Sequence, residues 1–438
     1  VRDAALEPIV TKVLEGRRLS ITDGHALYET RDLHAVLRLA DLVRRRLHGD
    51  HAYYNVNRHI NYSNVCALSC RFCAFYRKRG DDGAYEMSHD EIVAQAKAAD
   101  AAGATELHIV GGLHPWLPFE WYTQLLRALR EAVPRLHLKA FTAVEIVHLV
   151  RISKRGSLKG EGVRQVLAEL KQAGLGSLPG GGAEVFDDRV HDEAFKGKIR
   201  SSEWLEVHRV AHELGLNSNV TMLYGHVESR SERLHHFDVI RRQQDFTLRE
   251  WAESQGIAMQ ASPEQSSGAV EIDASAAGDG SANDAIVLTG PADRYPCRRL
   301  PDGGGERPSR GYFQTIIPLP FYPDASALES LPAPTGLENL RTLAIARLML
   351  DNLPHVKTFW IMQTIGMAQI MLQSGADDID GTVVWYDITK AVGDGTHQET
   401  TVRDLRSAIR EAGFTPVERD TVYRTVHRDG AEWRVISA

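Results

Sequence analysis

Strand and helix signals alternate along most of this 438-residue chain, and that alternation limits its fold more than any other feature. "AYYNVNRHINYSN" (52–64) reads as a strand and runs into a cysteine-bearing loop. "SHDEIVAQAKAADAAGA" then shows helical spacing behind Ser88, with Glu91 three positions on as a capping box. Further strand-like runs follow at "ELHIVGG", "LHLKAFTAVEI", "LGSLPGGGAE", "LNSNVTMLYGHVE", "GYFQTIIPLPF", "VKTFWIM" and "ADDIDGT", with helical patterns between them. Parallel strands need helical crossovers, so repeated strand–helix units build a parallel sheet. Eight units favour closure. The expected class is α/β, a (β/α)8 TIM-type barrel, although an open doubly wound sheet satisfies the same periodicity.

Residues 1–50 are expected as an N-terminal helical segment, because "DAALEPIVTKVLEG" and "DLHAVLRLADLVRRRLHG" repeat apolar residues every three or four positions. The barrel is assigned to 51–385. Within it, 246–310 breaks the rhythm with "SPEQSSGAVEIDASAAGDGSANDAI" and "LPDGGGERPSRG", too poor in apolar residues to build a core. That low-complexity insertion follows a helix and precedes a strand, which puts it at the barrel end away from the strand C-termini. It reads as a partly disordered surface insertion. Residues 386–438 are expected as a C-terminal helical extension, with the amphipathic "TVRDLRSAIREAGFTPVERD" packing across one end of the barrel.

Composition narrows the function. The formal net charge is −7 and there is no clustered basic excess, which argues against nucleic-acid binding. No apolar run approaches the roughly 18 residues of a membrane span. The charged, amphipathic N-terminus lacks the apolar core of a signal peptide. Three of the four cysteines fall within residues 66–73, which reads as a metal or redox site in a reducing cytoplasm and not as a disulfide framework.

Those three stand in "NVCALSCRFCAFYRK" (64–78) as C-x3-C-x2-C. A structural zinc site is closed and four-coordinate, usually from paired short spacings. No second pair follows here, though His59 or His89 offers a fourth ligand. An electron-transfer cubane takes four thiolates, and Cys297 lies inside the insertion. Three thiolates on one loop suit a [4Fe–4S] cluster whose remaining iron takes a small molecule.

The loop, with aromatic Phe72 before its last cysteine, resembles the signature of the radical S-adenosylmethionine enzymes. The resemblance implies that Cys66, Cys70 and Cys73 hold the cluster. S-adenosylmethionine would chelate the open iron and be cleaved reductively to methionine and a 5′-deoxyadenosyl radical. "GGLHP" (Gly111 to Pro115) resembles the family's glycine motif, where Gly111 and Gly112 let the main chain approach the methionine amino group. "SLPGGGAE" (Ser177 to Glu184) would supply a second close approach, with Glu184 accepting from ribose hydroxyls. Tyr76 would reach the cofactor beside the cluster. Either glycine run alone is also what a tight turn requires.

Taken together, "ELHIVGGLHPWLPF", "LKAFTAVEI", "SLPGGGAEVF", "NVTMLYGHVE" and "ADDIDGT" resemble the aminodeoxyfutalosine synthase family of the futalosine pathway to menaquinone. That implies addition of the 5′-deoxyadenosyl radical to 3-[(1-carboxyvinyl)oxy]benzoate, with S-adenosylmethionine consumed as a co-substrate. Related alternatives are the dehypoxanthine futalosine cyclases and the synthases of the deazaflavin precursor. An iron–sulfur or zinc-stapled scaffold is the non-enzyme alternative. A small-molecule substrate with two carboxylates calls for cationic or donor groups at strand ends, and the candidates are Arg58, His59, Arg77, His114, Lys139 and His226. The expected partner is an electron donor such as flavodoxin or ferredoxin, with no nucleic acid and no membrane.

Overall fold

Whether the strand–helix units close is decided by hydrogen bonds at the two ends of the sheet. The computed structural model describes residues 3–157, 160–254, 310–383 and 399–436. The expected first strand is split at Val56 into β1 (His51–Asn55) and β2 (Asn57–Ile60). From β2 a parallel sheet runs in chain order through β3 (Glu106–Ile109), β4 (His137–Ala140), β5 (Ser177–Leu178), β6 (Asn217–Tyr224), β7 (Phe313–Pro320) and β8 (His355–Val356). The last strand, β9 (Asp378–Gly381), lies parallel to β1, with Tyr53 opposite Asp378 and Asn55 opposite Gly381. Lys357, just past β8, bridges to Asp378 in parallel, and the Thr358 N–H donates to the Asp378 carbonyl at 2.8 Å. β1 and β2 are halves of one strand, so the pairing returns to its start. The fold is an α/β barrel of eight strand units.

Helices α1 (Glu7–Leu14), α2 (Ile21–Glu29) and α3 (Leu33–His48) precede the barrel. Around it lie α4 (His89–Ala101), α5 (Phe119–Ala132), α6 (Ala143–Ser153), α7 (Glu161–Ala173), α8 (Asp188–Ala194), α9 (Ser201–Glu213), α10 (Arg230–Ser254), α11 (Gly336–Met349), α12 (Trp360–Gln363) and α13 (Ile365–Leu372). Among the described residues, no helix is long and apolar enough to cross a membrane.

Four details differ from the reading of the sequence. "LHLKAFTAVEI" is strand only to Ala140, because Thr142 caps α6 and Glu145 closes a capping box back onto the Thr142 N–H at 2.7 Å. "VKTFWIM" is mostly not strand: β8 ends at Val356 and Trp360 opens the short α12. The helix α10 continues through Ser254, into the expected insertion, while 255–309, with Cys297, lie outside the described residues. After α14 (Val402–Glu411) the C-terminal part adds strands β10 (Thr415–Glu418), β11 (Val426–Asp429) and β12 (Glu432–Val435), and β10 pairs in parallel with β1. The amphipathic helix forms as expected; the strands carried no comparable pattern.

Side-chain alternation decides what fills the barrel. On β3, Leu107 and Ile109 join the hydrophobic core, while Glu106 and His108 take the other face. His59, His108 and Lys139 share one register row across β2, β3 and β4. Lys139 pairs with Glu106 at 2.6 Å, Lys357 with Asp380 at 3.0 Å, and Arg419 with Asp378 at 2.7 Å. Branched aliphatics usually fill such a core; here these cations and anions cancel one another.

Burial also holds several imidazoles below their ordinary range: His59 near about 4, His212 and His236 near about 3. These rings stay neutral in the folded chain while the unfolded chain protonates them below roughly pH 6.5. Their contribution is therefore present at neutral pH and lost as pH falls. Each should cost on the order of 1.4 kcal/mol per pH unit below about 6. Urea midpoints at pH 5 and 7 should show this slope, and His212→Asn should make it shallower by about one such increment. A pH-independent midpoint would contradict the account.

Candidate active site

The cysteine loop is held by its own main chain and by two cations. The Cys66 N–H donates to the Arg77 carbonyl at 3.0 Å, and the Arg77 N–H donates to Asn64 at 2.8 Å. Lys78 Nζ donates to the carbonyls of Cys66 (3.0 Å), Ala67 (3.3 Å) and Leu68 (2.9 Å). Arg77 donates to the carbonyls of Ala74 (2.9 Å) and Tyr76 (2.8 Å). Arg77, expected among the substrate contacts, is thus a staple of the loop.

Cys66, Cys70 and Cys73 are free thiols on this one loop. Burial pushes the Cys70 thiol up to about 11 and Cys73 upward, against the pull of the nearby Lys198 ammonium. Main-chain N–H groups of Phe75 and Tyr76 meet the Cys73 sulfur, and the Leu113 N–H donates to Cys66 Sγ at 3.4 Å. Such donors favour sulfur carrying negative charge, and iron supplies the positive charge that buried thiolates otherwise lack. The donor set fits a cluster held by three thiolates.

Gly111 and Gly112 end the second unit against this loop. A Cβ at Gly112 would strike the Val65 carbonyl, and one at Gly111 would meet the Tyr62 ring at 2.6 Å. Only glycine lets the two chains approach this closely. The Gly112 N–H donates to Ser63 at 2.8 Å and the Ala67 N–H to Leu113 at 2.8 Å. Glu145, at the start of α6, reaches over: its Oε1 accepts from Tyr62 Oη (2.9 Å) and the Gly111 N–H (3.1 Å). Its Oε2 accepts from the Thr142 N–H (2.7 Å) and Oγ1 (2.9 Å). Burial outweighs these donors and lifts the Glu145 carboxyl to about 7.

Glu184 stands with φ at 44°, its carbonyl accepting from the Leu223 N–H at 3.1 Å. Its carboxylate forms a buried ion pair with Lys198, whose Nζ lies 5.2 Å above the Phe72 ring centre. Phe72 meets Phe195 edge-on at 6.1 Å. The structure therefore groups Phe72 and Glu184 beside the cysteine loop. Lys198 completes the group, and nothing in its irregular "FKGKIR" segment marked it.

The other candidates scatter. Ser177 bonds His137 at 2.8 Å and pairs with Lys139 in the sheet, inside the barrel wall and not beside the loop. Arg58 donates to Gln95 of α4 at 3.2 Å, so it belongs to the strand–helix interface outside the barrel. His226 folds onto its own turn, 3.0 Å from the Leu223 carbonyl. His59 and Lys139 lie in the barrel interior, His59 beside the His108 ring at 4.4 Å. His114 pairs with Glu86 at 2.7 Å and, with Arg79 and Trp116, lines a cavity of about 390 Å³ on the flank of the loop. The Tyr76 ring lies under Lys78, 5.3 Å from Nζ. At the barrel base, His48, His355 and Asp377 have a metal-like arrangement among the described residues. Arg347 already pairs with that carboxylate, and the Val356 N–H donates to it at 2.8 Å, so the group is a hydrogen-bonded seal.

If the three thiolates take up a cluster on reconstitution with iron and sulfide, Lys198→Met, which removes the cation beside them, should shift its reduction potential negative, with Lys198→Met/Glu184→Gln recovering part of the shift. Redox titration followed by electron paramagnetic resonance checks this; equal potentials in all three proteins would contradict it.

The Radical SAM superfamily profile matches residues 60–240, and the CofH/MqnC C-terminal region profile matches residues 309–430. The aminodeoxyfutalosine synthase of Thermus thermophilus is 39% identical over 97% of this chain and 97% of its own. That of Streptomyces coelicolor is 40% identical over 96% of this chain and 94% of its own. The FO synthase of Mycobacterium leprae is 32% identical over 97% of this chain but 41% of its own. Methylornithine synthase superposes with a TM-score of 0.62 at 14% identity, covering 93% of this chain and 97% of that one. The FeFe-hydrogenase maturase of Carboxydothermus hydrogenoformans gives 0.61 at 13%, covering 95% and 80%. These two share the fold.

Proposed function

Because the chain belongs to the aminodeoxyfutalosine synthase family of radical S-adenosylmethionine enzymes, we infer that it makes aminodeoxyfutalosine by this family's route. In that route the 5′-deoxyadenosyl radical adds to the vinyl ether of 3-[(1-carboxyvinyl)oxy]benzoate; rearrangement, loss of a carboxyl group as carbon dioxide or bicarbonate and release of the odd electron give aminodeoxyfutalosine, with methionine as the other organic product. The observation that carries the reading is the meeting of three free thiols, the Gly111–Gly112 turn and the Glu184–Lys198 pair at one end of the barrel.

Cys66, Cys70 and Cys73 would hold the [4Fe–4S] cluster, which when bound supplies the electron that splits the sulfonium of S-adenosylmethionine. The residues around it bind and orient. The main chain of Gly111 and Gly112 takes the methionine end, and a side chain at either would push the turn away from Tyr62 and Val65. Glu184 accepts from the ribose hydroxyls and is held in place by Lys198. Phe72, in contact with Phe195, closes the loop side against water. Lys139 and Lys357 are already neutralised by Glu106 and Asp380, so they brace the floor of the site and do not draw in a carboxylate. His114, on the open cavity beside the loop, is likewise engaged, by Glu86 at 2.7 Å and by the Leu117 N–H at 3.2 Å, so it does not draw in a carboxylate either. A soluble one-electron donor such as flavodoxin or ferredoxin reduces the cluster, in a cytoplasm that keeps the thiols reduced.

Anaerobic turnover tests this. Reconstituted protein with dithionite, S-adenosylmethionine and the carboxyvinyloxybenzoate should give, by mass spectrometry, a nucleoside–benzoate adduct lacking one carboxyl unit. Cys70→Ala should lower that yield at least 1000-fold. Free 5′-deoxyadenosine without adduct would sink this substrate and turn attention to dehypoxanthine futalosine.

A further inference from the structure

The Glu145 carboxylate is buried, yet none of its four hydrogen-bond donors carries a charge: Tyr62 Oη, the Gly111 N–H, and the N–H and Oγ1 of Thr142. A buried carboxyl group that meets only neutral donors ionises at a cost, which a cation brought beside it would offset. Its position names where that cation would sit. One oxygen holds Gly111, and the next residue, Gly112, rests on Val65 beside the first cysteine of the loop.

The Tyr62 hydroxyl has a single proton and two acceptors in reach. Glu145 Oε1 lies at 2.9 Å and the Gly112 carbonyl at 3.4 Å. The shorter, charge-assisted bond takes the proton. The Gly112 carbonyl then keeps its lone pairs for another donor. Glu145 thereby does two things at once: it fixes the turn through the Gly111 N–H, and it keeps a neighbouring carbonyl available.

We infer that Glu145 is a positioning residue for S-adenosylmethionine, holding the Gly111–Gly112 turn and supplying the anionic counter-charge to the ligand's α-ammonium. This rests on the radical S-adenosylmethionine reading given above. The residue lies in "KAFTAVEI", where its capping box gives it a local role that does not require burial on this side of the helix. Its second pair of contacts, to Tyr62 and Gly111, is what the capping role leaves unexplained.

The test separates the ammonium from the rest of the ligand. Binding of S-adenosylhomocysteine, which carries the α-amino acid, and of 5′-methylthioadenosine, which lacks it, is measured by calorimetry on the anaerobic holoenzyme. Glu145→Gln should weaken S-adenosylhomocysteine at least tenfold and leave 5′-methylthioadenosine within twofold. Glu145→Asp keeps the charge but not the reach, and should lose threefold to tenfold for S-adenosylhomocysteine alone; it carries the test if the glutamine variant does not fold. Equal losses for both ligands, or no loss for either, would overturn the inference. Wild-type holoenzyme that binds neither of these ligands nor S-adenosylmethionine would overturn the reading it rests on, and the inference with it.

Discussion

Gly112 presses its main chain against the Val65 carbonyl, and that contact sets the distance between the second strand unit and the cysteine loop. Neither side can move without the other. The Ala67 N–H is tied to Leu113, and the Leu113 N–H to the Cys66 sulfur, so the loop that carries the thiols takes its shape from a strand end more than forty residues away. A methyl group at residue 112 would have to displace backbone, which is far more costly than shifting a flexible side chain.

Beneath that contact the barrel carries charge where a hydrocarbon filling is the rule. Glu106, Asp378 and Asp380 face Lys139, Arg419 and Lys357 in pairs. Arg419 comes from beyond the last barrel strand, so the C-terminal part helps complete the interior and does more than cover it. Tyr423 stacks on His355 at 3.5 Å in the same place. Ion pairs this deep are held by mutual need: removing one partner strands the other. A rigid, electrically balanced floor suits a site whose task is to hold reacting groups still while keeping water out.

Much of this was legible in the sequence, and the reasons differ by element. The helices and most strands announced themselves through period, because burial on one face is a local pattern. The three cysteines were visible because they lie on one loop. Gly111, Gly112 and Glu184 were visible through motif spacing. Closure was not, since it rests on the bridge from Lys357 to Asp378 and on β9 meeting β1, contacts with no local signature. The substrate candidates fared least well. Arg58 turned out to face α4, and Arg77 to be used up on loop carbonyls, because a four-residue strand and an irregular loop do not declare which way a side chain points. Lys198 and the Tyr62–Glu145 link went unmarked for the same reason: each matters through partners distant in the chain.

We propose that three thiolates hold a cluster with one position open to a ligand. The measurement that meets it most directly is metal and sulfide analysis of the anaerobically reconstituted chain, followed by electron paramagnetic resonance of the reduced protein with and without S-adenosylmethionine. The reconstituted protein should carry about four irons and four sulfides per chain and give a spectrum that changes when S-adenosylmethionine is added. One zinc per chain, or a cluster whose spectrum ignores the ligand, would contradict it.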